Sequence, residues 1–271
     1  MNMSACQFKK VRSPAFAGSF YPAVPEDLRQ LVQFCLAGGT RRAIGGSYKA
    51  FVLPHAGFIY SGPVAGSGYL CLEADREEVK RVILLGPSHR LGFAGLAVSE
   101  ASAFATPLGE VPVDLDAVGE LLALPQVRLL EAAHKHEHSL EVHLPFLQVV
   151  LAGFQLVPLV VGDASESEVA AVLEKLWGGP ETRIIVSSDL SHYHDYTLAR
   201  RLDAETATRI EDLLPVAPDQ ACGAMPLNGL LRAARHHRLA AHTIDLRNSG
   251  DTAGGRDRVV GYGAFVFGAG R

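Results

Sequence analysis

The chain has 271 residues, 48% of them hydrophobic and 20% charged, with a formal net charge of −4. That is enough chain for a sizeable core, and the composition is that of an ordinary globular protein. No basic stripe points to nucleic acid, no apolar run reaches the roughly 18 residues of a membrane span, and the N-terminal stretch lacks the apolar region of a signal peptide. A soluble cytoplasmic protein is therefore expected, with neither nucleic acid nor membrane as partner. Cys6, Cys35, Cys71 and Cys222 are far apart and form no CxxC pair, so no disulfide framework is expected. Cys35 and Cys71 fall in apolar helix-like stretches and read as buried thiols.

Residues 12–22 are irregular, broken by two prolines and a glycine. Pro25-Glu26-Asp27 opens a helix with acids in its first turn, and Gly38-Gly39 ends it. A strand near 49–53 runs into Pro54-His55-Ala56-Gly57, followed by a turn to Pro63 and a helix near 63–74. A second strand, near 81–86, runs into Gly86-Pro87-Ser88-His89. Residues 96–98 suggest a short strand, 104–114 an extended, turn-rich segment, and Asp114 caps a helix to about Leu124. Another short strand is expected over 127–130. His134-Lys135-His136-Glu137-His138-Ser139 precedes a helix-like run, 140–151, whose start Pro145 should delay or kink. A strand over 156–161, a helix over 165–177 and a β-branched strand over 182–187 follow. That last strand exits into Ser188-Asp189-Leu190-Ser191-His192-Tyr193. Helices over 198–214 and 223–235 and strands over 241–246 and 259–267 complete the chain.

Strands alternating with helices, several of them continuously apolar, imply an α/β fold. No linker, repeat or low-complexity segment interrupts it, so a single domain is expected: a central, mostly parallel or mixed sheet flanked by helices. In such sheets ligands bind beyond the C-terminal ends of the strands. His55, His89, Asp189 and His192 all fall at that edge. One histidine after a strand is an ordinary loop residue, but several on one edge suggest a shared site. Two or three imidazoles with a carboxylate or thiolate make a metal site, and two histidines with a carboxylate suit non-haem Fe(II). An unligated histidine there can carry protons. Asp189 has a structural alternative, capping the segment after it. Ser188 and Ser191 lack the Gly-x-Ser-x-Gly elbow of a nucleophile.

The cluster at 134–143 fails the His-Glu-x-x-His test, and His138 and His143 are five apart, on different faces of a helix. His136 and His138 would share one face of an extended segment. A solvated loop is the alternative, and the roles of His134, His136 and His143 stay open. His236-His237, between Arg235 and Arg238, reads as an exposed face without a role. Cys222 begins a helix-like segment, where a thiol is favoured as thiolate. It reads as a ligand, a reactive thiol or a small buried residue.

Several blocks together resemble the MEMO-like family, whose prokaryotic members are called AmmeMemoRadiSam system protein B. They are Pro54-His55-Ala56-Gly57-Phe58-Ile59-Tyr60-Ser61-Gly62, Gly86-Pro87-Ser88-His89, Pro107-Leu108-Gly109-Glu110-Val111-Pro112, His138-Ser139-Leu140-Glu141-Val142-His143-Leu144-Pro145, Ser187-Ser188-Asp189-Leu190-Ser191-His192-Tyr193, Ala221-Cys222-Gly223, Asn248-Ser249-Gly250-Asp251 and Val259-Val260-Gly261-Tyr262. The resemblance covers the chain, in order, from about Arg12 to Phe267. The resemblance implies a fold similar to class III extradiol dioxygenases of the protocatechuate 4,5-dioxygenase type. It implies His55, His89 and Cys222 as metal ligands, His192 as acid/base with Asp189 beside it, and His138 lining the pocket. Cys222 stands where those dioxygenases carry a carboxylate. Fe(II) is the metal expected, and the softer thiolate also admits copper or zinc. The implied activity is oxidation of a small catecholic or similarly chelating substrate. The alternative is a metal-binding or redox protein acting through a protein partner, since eukaryotic relatives are regarded as signalling and metal-handling proteins. A third reading is a Cys222–His192 hydrolase.

Overall fold

The computed structural model describes residues 10–40 and 47–270; Cys6 lies outside them. The first half of the chain runs β1 (Lys10–Arg12), α1 (Pro25–Ala37), β2 (Tyr48–Leu53), α2 (Phe58–Leu72), β3 (Arg81–Pro87), β4 (Leu96–Val98), β5 (Ala101–Thr106), β6 (Gly109–Pro112), α3 (Leu115–Leu121), β7 (Val127–Leu129) and α4 (Glu131–Lys135). It continues through α5 (Leu144–Val150), β8 (Gln155–Val161), α6 (Glu166–Lys175), β9 (Thr182–Ser187), β10 (His192–His194), α7 (Tyr196–Glu211), α8 (Ala224–His236), β11 (Leu239–Asn248) and β12 (Val259–Ala269). Among the described residues no helix is long and apolar enough to cross a membrane.

The main sheet has the order β10-β12-β2-β9-β3-β8-β4-β7, with β11 also paired to β12. Its centre, β2-β9-β3-β8, is parallel. β12 and β4 join antiparallel on either side, which makes the sheet mixed. The parallel strands are the β-branched, continuously apolar runs. Val82 to Leu85 and Ile184 to Val186 have no exposed surface, as expected of strands covered on both faces. Helix α2 lies on β2 and β12 with α1 and α5 packed beside it, while α8 lies on β3 and β9 and pairs with α6. A small sheet, β1-β5-β6, is formed partly by the turn-rich 104–114 segment.

The α/β class and the sheet agree with the sequence. Several boundaries move for identifiable reasons. Helix α2 starts at Phe58, well before Pro63. The proline removes only the bond to the Ile59 carbonyl, and Ile59 is exposed to water. Pro145 does delay its helix: Glu141–His143 form a 3₁₀ turn, and α5 begins with the proline in its first turn. Helix α7 begins at Tyr196, because the Asp195 carboxylate accepts from the N–H groups of Thr197 and Leu198.

Candidate metal centre

Strand register builds the site. β9 lies between β2 and β3, with Leu53 opposite Ser187 and Leu85 opposite Val186, so the three strands end at one level. The Ser188 N–H donates to the Leu53 carbonyl, tying two of the exits together. His55 and His89 therefore face each other directly, their ring centroids 5.1 Å apart at 76°.

The hydrogen bonds settle which nitrogen of each ring is free. Ser187 Oγ donates to the Ser139 carbonyl at 2.6 Å, so it accepts from Nδ1–H of His55, also at 2.6 Å. That leaves Nε2 of His55 as a bare lone pair, and it lies 3.3 Å from Sγ of Cys222. Nδ1–H of His89 donates to the Glu137 carboxylate at 2.8 Å, and the His89 N–H reaches its other oxygen at 2.6 Å. Nε2 of His89 is free in the same way. Carboxylate or hydroxyl partners behind metal-binding imidazoles fix the tautomer and the ring orientation. Burial alone would raise the pKa of Glu137; the bonds from His89 and the Ser139 N–H outweigh it and hold the pKa at about 2.

Two imidazole nitrogens and a sulfur, all within 4.8 Å of one another, form a donor set that fits a transition-metal ion. Cys222 stands at the start of a helix, as the sequence suggested: Gly223 is the N-cap of α8, which begins at Ala224. The expected stabilisation of the thiolate does not follow. Burial, followed by the nearby Asp189 carboxylate, pushes the thiol up to about 12 rather than down. Desolvation outweighs the N–H of Asp189, which donates to the sulfur at 3.3 Å. A bound cation is the positive charge that would favour the thiolate there.

Asp189 lines the same cleft as His192 and bonds to neither ring nitrogen of it; its carboxylate accepts from the backbone N–H of His55 at 2.8 Å and shapes the loop that presents that ring. Burial lifts its pKa to about 7, against the N–H groups of His55 and Ala56. His192 is held instead by its own segment: Nδ1–H donates to the Leu190 carbonyl at 2.8 Å, leaving Nε2 as a base. Burial lowers the pKa of His192, so the ring is neutral near pH 7. The segment is locked by Leu190 N–H to the Gly261 carbonyl, Gly261 N–H to the Ser191 carbonyl, and Ser191 N–H to Asp203. A Cβ at Gly261 would come within 2.1 Å of the Asp203 carboxylate, so only glycine permits this approach. Tyr193 takes a left-handed φ of 64°, with the Arg258 guanidinium 5.1 Å over its ring.

The histidine cluster divides. His138 stacks on His89 with centroids 4.5 Å apart, and Phe20 packs at 4.7 Å on the same ring. Burial pushes the pKa of His138 down to about 4. His136 is exposed, so the two do not share a face. His134 is buried and bonds to the Ala97 carbonyl, and His143 is buried against the Tyr69 hydroxyl. Neither lines the cleft.

The cleft measures about 980 Å³ and is lined by all six residues singled out from the sequence, His55, His89, His138, Asp189, His192 and Cys222. Sequence reasoning missed Ser187, Glu137, Tyr262 and the rim residues Arg90 and Arg258. Glu137 carried a signal, a carboxylate between two histidines, but it belongs to no helical metal-binding spacing. Ser187 lay in the conspicuous strand exit. Nothing local marked Arg258.

A mixed α/β fold with a His₂Cys donor set at the ends of its parallel strands defines a candidate metal-binding protein. The model of the Memo-like protein family matches residues 12–266, and the chain belongs to that family. A MEMO1 family protein of Sulfolobus acidocaldarius is 33% identical, covering 95% of this chain and 99% of the relative. One from Aeropyrum pernix is 35% identical, covering 94% and 99%. Among solved structures, an uncharacterised protein of Escherichia coli K12 has a similar fold, with a TM-score of 0.51 and 14% identity over 82% of this chain and 99% of that one.

Proposed function

We propose that this chain is a metal-dependent oxidoreductase of the extradiol dioxygenase type, holding Fe(II) on His55, His89 and Cys222. The observation that carries the reading is the pair of imidazoles whose Nδ1–H groups are spent on Ser187 and Glu137. Both Nε2 lone pairs are thereby left beside one sulfur in an open cleft. Bound iron would supply coordination positions where a chelating, catecholic substrate and dioxygen can meet.

The protein's own residues would do the rest. Nε2 of His192 takes the proton of a substrate hydroxyl while its Nδ1–H stays on the Leu190 carbonyl. Asp189 holds the His55 loop. His138, neutral and walled by Phe20 and Phe16, bounds the same space and keeps water from one side of it.

The test is anaerobic reconstitution with Fe(II), metal analysis, and oxygen-uptake screening over a panel of catechols. Wild type should retain iron and consume oxygen with some member of the panel. If His55→Ala and Cys222→Ala hold iron as well as wild type, the site is misassigned.

The thiolate favours a second reading, a metal-binding or redox protein that works through a protein partner. A soft, oxidisable ligand suits copper handling better than a carboxylate does. Tight copper binding without oxygen consumption would support it. The hydrolase reading loses ground, because the imidazole facing the Cys222 sulfur is that of His55.

A further inference from the structure

Glu174, His236 and His237 converge on the surface where α6 and α8 end, at the opposite edge of the sheet from the cleft. The place of His237 is fixed by Trp177, which stacks on it while lying 5.5 Å from the ammonium of Lys49, at the start of β2. We propose that these three side chains form a second metal site, taking a borderline cation of the Zn²⁺ or Cu²⁺ kind.

Three observations converge. The first is the donor set, two imidazoles and a carboxylate whose ligand atoms all lie within 4.8 Å of one another. Nitrogen donors of this kind select transition metals over Mg²⁺ or Ca²⁺. The second is preorganisation. His237 is stacked flat on the Trp177 indole, centroids 3.7 Å apart at 4°, and its Nε2 lies 2.8 Å from the Glu174 carboxylate. The helices that carry the ligands cannot drift apart easily. A Cβ at Gly229 would come within 2.3 Å of Val169, so glycine lets α8 and α6 pack closely. The third is the field. Glu174 is in the last turn of α6, and His236 and His237 end α8, so two helix C-termini turn their partial negative charge toward the same point.

Three of the neighbouring cations have other partners. Arg232 and Arg235 are directed at Glu166, at 3.0 and 3.9 Å, and Lys49 donates to the carbonyls of Gly178, Gly179 and Thr182. A hollow of about 460 Å³ beside Glu174 and His236 leaves room for water to complete the coordination. On binding, the cation replaces the imidazole proton that His237 shares with Glu174, and that proton leaves to solvent. The ion would clip α6 to α8.

The experiment uses Zn²⁺ and keeps the two sites separate. In a His55→Ala, Cys222→Ala background, equilibrium dialysis should show a single bound Zn²⁺, and Zn²⁺ should raise the thermal midpoint. Adding Glu174→Gln or His236→Ala should abolish both effects. In the otherwise unaltered protein, Glu174→Gln should lower the Zn²⁺ stoichiometry by one, whatever the cleft binds. The proposal is overturned if the background takes up no Zn²⁺, or if the stoichiometry is the same with and without Glu174→Gln.

Discussion

Nε2 of His55 lies 3.3 Å from the sulfur of Cys222, although 167 residues of chain separate them. The contact exists because the Cys222 segment is drawn onto the exit of β9. The Cys222 N–H donates to the Asp189 carbonyl, and the Gly223 N–H donates to Ser188 Oγ. A strand exit that presents one ligand thus also recruits another.

Glu137 is the residue whose effect should most clearly part metal affinity from folding. Its carboxylate holds both the ring and the backbone of His89. In Glu137→Gln the uncharged amide supports the imidazole less well, and metal affinity should fall by about 10–100-fold. Competition against a chelator measures this, and an affinity equal to wild type would refute the assignment.

His192→Gln separates metal binding from proton transfer. The imidazole is held by the Leu190 carbonyl and belongs to no donor set with His55. The variant should keep its iron, and any turnover found in the catechol screen should drop by about 10²–10⁴-fold. Equal loss of iron and turnover would place His192 among the ligands instead.

Acid should destabilise the protein through its buried histidines. Burial pushes His143 from its ordinary value of 6.5 to about 3. Between those values the unfolded chain binds a proton that the folded chain refuses, so this contribution is complete above about pH 6.5 and is lost as pH falls toward 3. The slope is about 1.4 kcal/mol per pH unit for one such group. His143→Gln preserves a partner for Tyr69 and removes the titration. Its urea midpoint should therefore fall less than that of wild type between pH 6.5 and pH 5.

Glu141, fully buried, anchors the irregular segment after β1. It accepts from Arg12 and Tyr21, both at 2.6 Å, and from the N–H groups of Ala15 and Phe16. Glu141→Gln leaves the Arg12 charge buried without its counter-ion and should cost about 3–5 kcal/mol. Because Phe16 and Phe20 wall His138, the same change should loosen one side of the cleft. Urea unfolding and protease susceptibility near residue 20 check the two effects.

Much of this was legible in the chain before any folding. β-branched runs such as Ile184-Ile185-Val186 mark the buried strands, and the histidine or aspartate just beyond each marks the functional edge. Local periodicity determined that much, because side-chain alternation and burial are properties of a few neighbouring residues. It did not determine that desolvation would raise the pKa of the Cys222 thiol despite the helix starting beside it, or where the 134–143 histidines would lie. One of those rings faces the cleft, two are buried elsewhere and one is in water.

Amino-acid order by itself determined the fold class, the strands and the residue types gathered at their ends. Only the tertiary structure decided which nitrogen of each imidazole is free. The partners that settle it, Ser187 for His55 and Glu137 for His89, stand 132 and 48 residues away. Such pairings depend on strand order and register, which bring distant segments to one level. No spacing within a single segment encodes them.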